Sequence, residues 1–271
     1  MISSYLKPRL AKPARFLFFL IFISLAACNS ESKKVESYPA AEGFDEKGSD
    51  KKAIEIADRM MAEMGGYEAW QKARFFAWTF FGQYQIWDKK ENLLRHEKGN
   101  VVSIMNLNRR NAVVFNNGVR MLDTVRMYNN LAETATQWAS NNYFLFMPFK
   151  LKDTGVTLKY KGEGKTLSGR PADILEITFN NVGITPNNKH QIWVDKETGL
   201  TAQWAFYGTR EAEEPNVIRQ WSDYKEYDGL KLATNRNSLE DTLSISHLVV
   251  TDFVPKDLFL SAVPVDKSKI K

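Results

Sequence analysis

From Arg74 onward the apolar residues stop recurring every three or four positions and begin to recur every two. A period of two belongs to an extended strand, whose successive side chains leave on opposite faces. Between Arg74 and Ile86 both parities are apolar: Phe76, Trp78, Phe80, Tyr84 and Ile86 fall on one, Phe75, Ala77, Thr79 and Phe81 on the other. A strand apolar on both faces is covered on both. The stretch therefore reads as one long, doubly buried strand ending in the polar turn Asp88-Lys89-Lys90-Glu91-Asn92. Shorter strands are predicted at Leu93 to Lys98, Val101 to Leu107 and Ala112 to Phe115. They resume after Asp153, at Val156 to Tyr160, Ala172 to Phe179, His190 to Val194, Leu200 to Tyr207, Val217 to Tyr227, Lys231 to Ser238 and Ile245 to Phe253. Short turns such as Asp195 to Gly199 and Tyr227-Asp228-Gly229 join neighbours into antiparallel pairs. The expectation is a mainly β chain whose sheet curls towards a barrel.

Two segments keep a helical period instead. Ala53, Ala57, Met60 and Met64 recur along Lys51 to Met64, and Gly65-Gly66 stops them; Tyr67 to Ala73 adds a short turn of helix. Asp123 can cap a second helix running to Asn142, with a ragged stripe of Val125, Tyr128, Leu131, Ala135 and Trp138. Tyr143 to Phe149 then concentrates large apolar residues around Pro148, which argues against a continuous helix. That cluster is either core or a flap over a cavity. Asn180 to Lys189 reads as a loop projecting from a sheet edge.

Ahead of the folded region, Lys7, Arg9, Lys12 and Arg15 precede an apolar run from Phe16 to Ala27. The run is too short to span a bilayer and carries the flanks of a secretory signal. Its end, Leu25-Ala26-Ala27-Cys28, resembles the lipobox of bacterial lipoproteins. The resemblance implies cleavage before Cys28 and acylation of that residue with palmitate-type chains, which makes Cys28 the lipid-attachment site and anchors the protein to the inner or outer membrane of a bacterial envelope. Cys28 is the only cysteine, so no intramolecular disulfide can form. Three parts follow: a signal peptide over 1–27, a disordered tether over 28–50 that is rich in Ser, Glu, Lys and Gly, and a folded domain over 51–271. Losing residues 1–27 lowers the formal charge from +5 to +1. A nucleic-acid partner then has no electrostatic basis.

The order of elements and several stretches resemble the lipoprotein-localisation carriers LolA and LolB and their relatives. The stretches are the helix end Met64-Gly65-Gly66, then Met147-Pro148-Phe149-Lys150-Leu151, Gly169-Arg170-Pro171-Ala172-Asp173-Ile174-Leu175-Glu176-Ile177, and His190-Gln191-Ile192-Trp193-Val194-Asp195-Lys196-Glu197-Thr198-Gly199-Leu200. The resemblance covers most of the chain from Lys51 and implies an unclosed antiparallel half-barrel with helices over its concave face. It also implies apolar space for acyl chains, hence a lipid or acylated lipoprotein as partner.

Candidate chemistry is sparse. His96, His190 and His247 each fall in a predicted strand and lack ligand-spaced partners, so no metal site is assigned. Gly162 to Gly169 reads as a hairpin rather than a phosphate loop, no Gly-x-Ser-x-Gly occurs, and no catalytic residue or cofactor is assigned. The aromatics are more informative. Trp204 and Phe206 share a parity with Leu200 and Ala202, Trp78 and Phe80 share another, and Trp193 lies on a third strand. Trp78, Phe80, Trp193, Trp204 and Phe206 are therefore the candidate residues for noncatalytic binding of an apolar ligand. Core packing explains the same pattern, which leaves an interaction module with a filled core as one alternative. An envelope enzyme with a site of scattered His and Asp residues is another.

Overall fold

A computed structural model describes residues 37–109, 111–255 and 257–271. The expected signal peptide, Cys28 and the start of the expected tether lie outside the described residues. The long first strand proves to be two. β1 (Phe75–Phe80) and β2 (Gln83–Asp88) pair antiparallel across a two-residue turn, in which Phe81 has φ 49° and Gly82 φ 71°. Positive φ at both central positions matches the right-handed twist of a hairpin, and Gly82 adopts it freely. The turn also switches parity. Trp78 faces Gln85 and Phe76 faces Trp87, while Tyr84 and Ile86 join Phe75 and Ala77 on the opposite face.

β3 (Leu93–Lys98), β4 (Val101–Asn106), β5 (Asn111–Asn116) and β6 (Val119–Arg120) continue the meander. β7 (Val156–Lys165), β8 (Pro171–Phe179), β9 (Lys189–Asp195), β10 (Thr201–Tyr207) and β11 (Val217–Gln220) form a second, five-stranded sheet in the order β11-β10-β9-β8-β7. β12 (Ser222–Tyr227) and β13 (Leu230–Asn235) make a separate hairpin, so the single strand expected over 217–227 is broken at the buried Trp221. β14 (Ser246–Thr251) returns to pair with β1, giving a seven-stranded sheet ordered β14-β1-β2-β3-β4-β5-β6. All pairings are antiparallel and neither sheet closes into a barrel, as the sequence predicted.

Three helices share one core with the inner faces of the sheets. α1 (Lys51–Glu63) buries Ala53, Ala57 and Met60, which with buried Met64 at its C-cap make the stripe its spacing predicted; Met61 is buried beside them, and α2 (Tyr67–Lys72) adds Trp70. Each such large side chain contributes about 1.5–3 kcal/mol on burial. α3 (Thr124–Phe146) starts at Asp123, whose side chain accepts from the Arg126 N–H at 3.0 Å, and runs four residues past the expected end. A single 3-10 turn over Met147–Lys150 follows, with Pro148 near its start, where a missing N–H costs nothing. Phe146 sits among Trp70, Phe76, Trp78 and Trp87 at ring separations of 5.4, 4.8, 5.5 and 5.8 Å.

The outer face of the larger sheet is covered too. Phe75, Ala77, Tyr84 and Ile86 pack against Val254, Leu258 and Ile270 of the segment after β14. Fully buried Arg95 holds that segment by donating to the carbonyls of Leu258 (2.8 Å), Ser261 (2.7 Å) and Val263, and pairs with Glu97 at 2.6 Å. Glu97 in turn accepts from the Val265 N–H at 3.0 Å.

Residues 37–50, expected as tether, are docked. The N–H groups of Asp45 and Asp50 donate to the carbonyls of Val156 and Leu158, at 3.0 and 2.9 Å, and Asp50 Oδ2 accepts from the Tyr160 N–H at 2.9 Å. Tyr38 is buried and stacks on Tyr67 at 5.8 Å. The segment lies along β7, the outermost strand of its sheet, whose free backbone groups it satisfies. It lacks an apolar period because backbone hydrogen bonds and two separate rings, Tyr38 and Phe44, hold it in place of a continuous apolar face.

Candidate functional site

α3 crosses from one sheet to the other, and its last turns do not fill the space they meet. Ala139, Ser140, Tyr143 and Phe144 of α3 face Phe179 at the end of β8, His190 at the start of β9, Trp204 and Phe206 of β10, and Val217 and Arg219 of β11. Between them lies an open apolar cavity of about 410 Å³, within the ~300–1,000 Å³ of small-molecule sites. Its rim is the loop Val182 to Thr185 together with Phe81 from the β1–β2 turn. Ile184 and Phe81 are half exposed there. Phe81 holds a left-handed backbone conformation, which costs a bulky residue on the order of 1–2 kcal/mol, and lies against Phe80 and Phe144 at 4.3 and 6.1 Å.

Strand register places the wall. His190 pairs with Phe206 across β9 and β10, Ile192 pairs with Trp204, and Val194 pairs with Thr201. The register slips by one residue between Thr201 and Gln203, a bulge at Ala202. Thr201, Trp204 and Phe206 therefore share the inner face, and Leu200 and Ala202 do not continue it as their parity suggested. Leu200 and Ala202 line a different groove, beside Arg170, Asp195 and Asp223.

The electrostatics of the wall are those of a dry site. Trp204 Nε1 donates to His190 Nδ1 at 3.3 Å, and burial lowers the imidazole pKa to about 4, so His190 is neutral. Burial likewise raises the Tyr143 phenol. Arg219 is engaged with Asp241 and does not bring a free charge into the cavity. Behind the wall, buried Arg236 donates to the Phe144 carbonyl at 3.0 and 2.7 Å and stacks over Trp221 at 3.5 Å, which fixes the end of α3. Desolvation lowers the Arg236 pKa to about 9.

Of the five residues singled out from sequence, Trp204 and Phe206 line the cavity. Trp78 and Phe80 lie in the filled core beside it, Trp78 against Trp138 at 5.7 Å and Phe80 against Phe144 at 5.4 Å. Trp193 is half-buried on the other face of its sheet, because it alternates with the core residues Ile192 and Val194. Cys28 lies outside the described residues. The cavity adds Phe81, Tyr143, Phe144, Phe179 and His190. Phe179 and His190 flank the long insert after β8, and that position was the available signal for them.

Nothing gathers the histidines. His96 lies near Gln83 at 3.3 Å, His190 bonds Trp204, and His247 bonds Thr79 at 3.1 Å. Among the described residues no group of three His, Cys, Asp or Glu is placed to hold a metal, and no helix is long and apolar enough to cross a membrane.

No family model matches the sequence, and no curated protein matches it. Among solved structures, the chain is similar to a DUF1329 family protein from Desulfovibrio piger, at 14% identity over 77% of this chain and 96% of that one, with a TM-score of 0.42. It is also similar to a putative outer membrane lipoprotein-sorting protein domain from Vibrio parahaemolyticus, at 12% identity over 78% and 97%, with a TM-score of 0.39. A third similarity is to MucB, at 17% identity over 76% and 69%, with a TM-score of 0.26.

Proposed function

We propose that this protein is a noncatalytic binder of an apolar, acyl-type ligand, held in the cavity between α3 and the five-stranded sheet. The observation that carries the reading is the cavity itself: about 410 Å³, walled by aromatic rings from four separate elements and left unfilled. Protein interiors close-pack, so a hollow of this size among large, well-fixed rings supports a ligand site over a filled core. A filled-core interaction module has no use for it. Lipidation of Cys28 and residence in a bacterial envelope belong to the same proposal and are supported by the Leu25-Ala26-Ala27-Cys28 junction.

The test of binding uses the mature chain with Cys28→Ser, titrated with dansyl-undecanoic acid. Saturable energy transfer from tryptophan at one probe per chain is expected, together with a melting temperature that climbs with probe concentration. An unsaturable signal with an unchanged melting temperature would return the protein to the interaction-module reading. Metabolic labelling with palmitate tests the anchor: the native chain should be labelled, and equal labelling of Cys28→Ala would remove the anchor from the proposal.

A further inference from the structure

The apolar stripe of α3 divides in the structure, and one part of it is left exposed. Trp138 packs on Trp78 and Trp87 at 5.7 and 5.4 Å, whereas Val125 and Tyr128 stay 70% and 65% exposed. Leu122, just before the Asp123 cap, is 82% exposed, and Val119 on the edge strand β6 is 70% exposed. Residues three apart on a helix share a side, so Val125 and Tyr128 stand together, with Leu122 leading into them. An apolar residue in the place of Leu122 often folds back on the first turn of its helix; at this exposure it does not. Val263 of the carboxyl-terminal segment, also exposed, lies beside Gly118, the neighbour of Val119. Single exposed apolar residues are ordinary, but large ones gathered from two distant segments mark an interaction surface.

The charges around this patch are of one sign. Between Leu107 and Leu131 the chain carries Arg109, Arg110, Arg120 and Arg126 against a single acidic residue, Asp123. Arg109, Arg120 and Arg126 are exposed, and Asp123 is already engaged in capping α3 and with the Arg126 guanidinium at 3.8 Å. Aliphatic side chains and a tyrosine fringed by arginines suit the headgroup region of an anionic bilayer, where phosphates meet the charges and the apolar groups leave water. The length of chain ahead of the folded part favours the same occupant. Ser37 is held by Lys152 at 3.2 Å, and nine residue steps separate it from Cys28, ~30 Å at full extension. With the anchor proposed above, that leash keeps the domain beside lipid at all times, whereas a soluble partner would have to be met by diffusion.

We propose that Val119, Leu122, Val125 and Tyr128, with Arg109, Arg120 and Arg126 around them, form a docking surface for an anionic phospholipid bilayer. None of these side chains lines the cavity, so the surface goes beyond the acyl-binding reading and draws on the anchor only through the leash.

The experiment sediments the mature Cys28→Ser chain with vesicles of phosphatidylcholine containing about a third phosphatidylglycerol, so that no acyl group on the protein can attach it. Binding should be roughly tenfold stronger than to phosphatidylcholine alone and should fall as salt is raised. Arg109→Gln with Arg120→Gln should weaken it roughly tenfold or more, since each arginine beside an anionic leaflet contributes about fivefold. Leu122→Asp with Val125→Asp should abolish it and leave the melting temperature and the affinity for dansyl-undecanoic acid at parent values, which separates this surface from the cavity. Position is read directly as well. Cys28 is the only cysteine, so Leu122→Cys in the Cys28→Ser chain accepts one nitrobenzoxadiazole label. That label should brighten on vesicles, while the same label at Glu226→Cys, exposed on β12, should stay dim. A parent chain that leaves the vesicles unbound, full sedimentation of the Asp variant, or equal brightening at both positions would overturn the proposal. So would a parent that dimerises through Leu122 and Val125, which would give the surface to a second copy of the chain.

Discussion

Two faces of α3 make contrasting contacts, and a buried histidine lies close to each. Along the seven-stranded sheet the helix is stitched down by polar side chains. Asn141 donates to Gln83 Oε1 at 2.6 Å, His96 approaches the same oxygen at 3.3 Å, and Ser103 bonds Asn130 at 2.8 Å and Thr134 at 3.3 Å. Over the five-stranded sheet the same helix offers Tyr143 and Phe144 to a wall of rings around His190. Hydrogen bonds demand set distances and angles, so the polar face fixes where the helix lies. Edge-on rings make no such demand and leave the hollow. One face of the helix gives position and the other gives capacity.

The largest expected effect separates two neighbouring phenylalanines. Phe146 is fully buried in the core, and Phe146→Ala should cost about 3–5 kcal/mol in urea unfolding while any chain that stays folded keeps its acyl-probe affinity. Phe144 is half-buried on the cavity wall, and Phe144→Ala should cost less, about 1–2 kcal/mol, yet weaken the probe several-fold. The opposite ranking in either assay would break the division between filled core and cavity wall.

Acid comes next. Burial is the first cause at both histidines and lowers each imidazole from 6.5 to about 4. The unfolded chain takes up these protons as pH falls through its own pKa, whereas the fold resists until near its lowered one. Stability is therefore complete above the unfolded pKa and is lost from there down, by on the order of 2–3 kcal/mol per histidine at about pH 4.5. His190→Phe should remove about half of this acid loss, leaving the share of His96. A pH dependence unchanged by His190→Phe would mean that this ring already carries its proton in the fold.

The smallest effect belongs to Gln85. Its side chain is fully buried, and neither amide atom has a partner among the described residues. Gln85→Leu should raise the urea midpoint by the equivalent of about 1 kcal/mol, because an unmet polar group is replaced by an apolar one of similar shape. A clear loss of stability instead would show that Gln85 belongs to the polar stitching after all.

Much of the architecture could be read from residue pattern, because period and turn chemistry are local. The α1 stripe, the meander through β5 and the Asp123 cap were all visible that way. The errors sit where one residue changes the count. Gly82 turns one apparent strand into a hairpin and sends Tyr84 and Ile86 to the outer face, and the Ala202 bulge separates Leu200 from Trp204. The Tyr143 to Phe149 cluster, read as either core or flap, divides: Tyr143 and Phe144 line the cavity, and Phe146, Met147 and Phe149 are core. His190 could be recognised as a strand residue, but its ring environment depends on which strands become neighbours. A hollow is a difference between volumes contributed by distant segments, and no local pattern records it.

The pairing of β14 with β1 sets the order in which this molecule can be completed. The first long strand made finds its second neighbour only some 170 residues later, Phe75 opposite Thr251 and Phe76 opposite Val250. Until residues 246–258 have been synthesised, β1 has one bare edge, and its outer apolar residues lack the Val254 and Leu258 that cover them. Contacts so distant along the chain make folding slow, and an exposed strand edge invites association in the meantime. For this protein, then, a lesion in residues 246–258 is a lesion in the first hairpin, and the nascent chain stays vulnerable until that segment has been made.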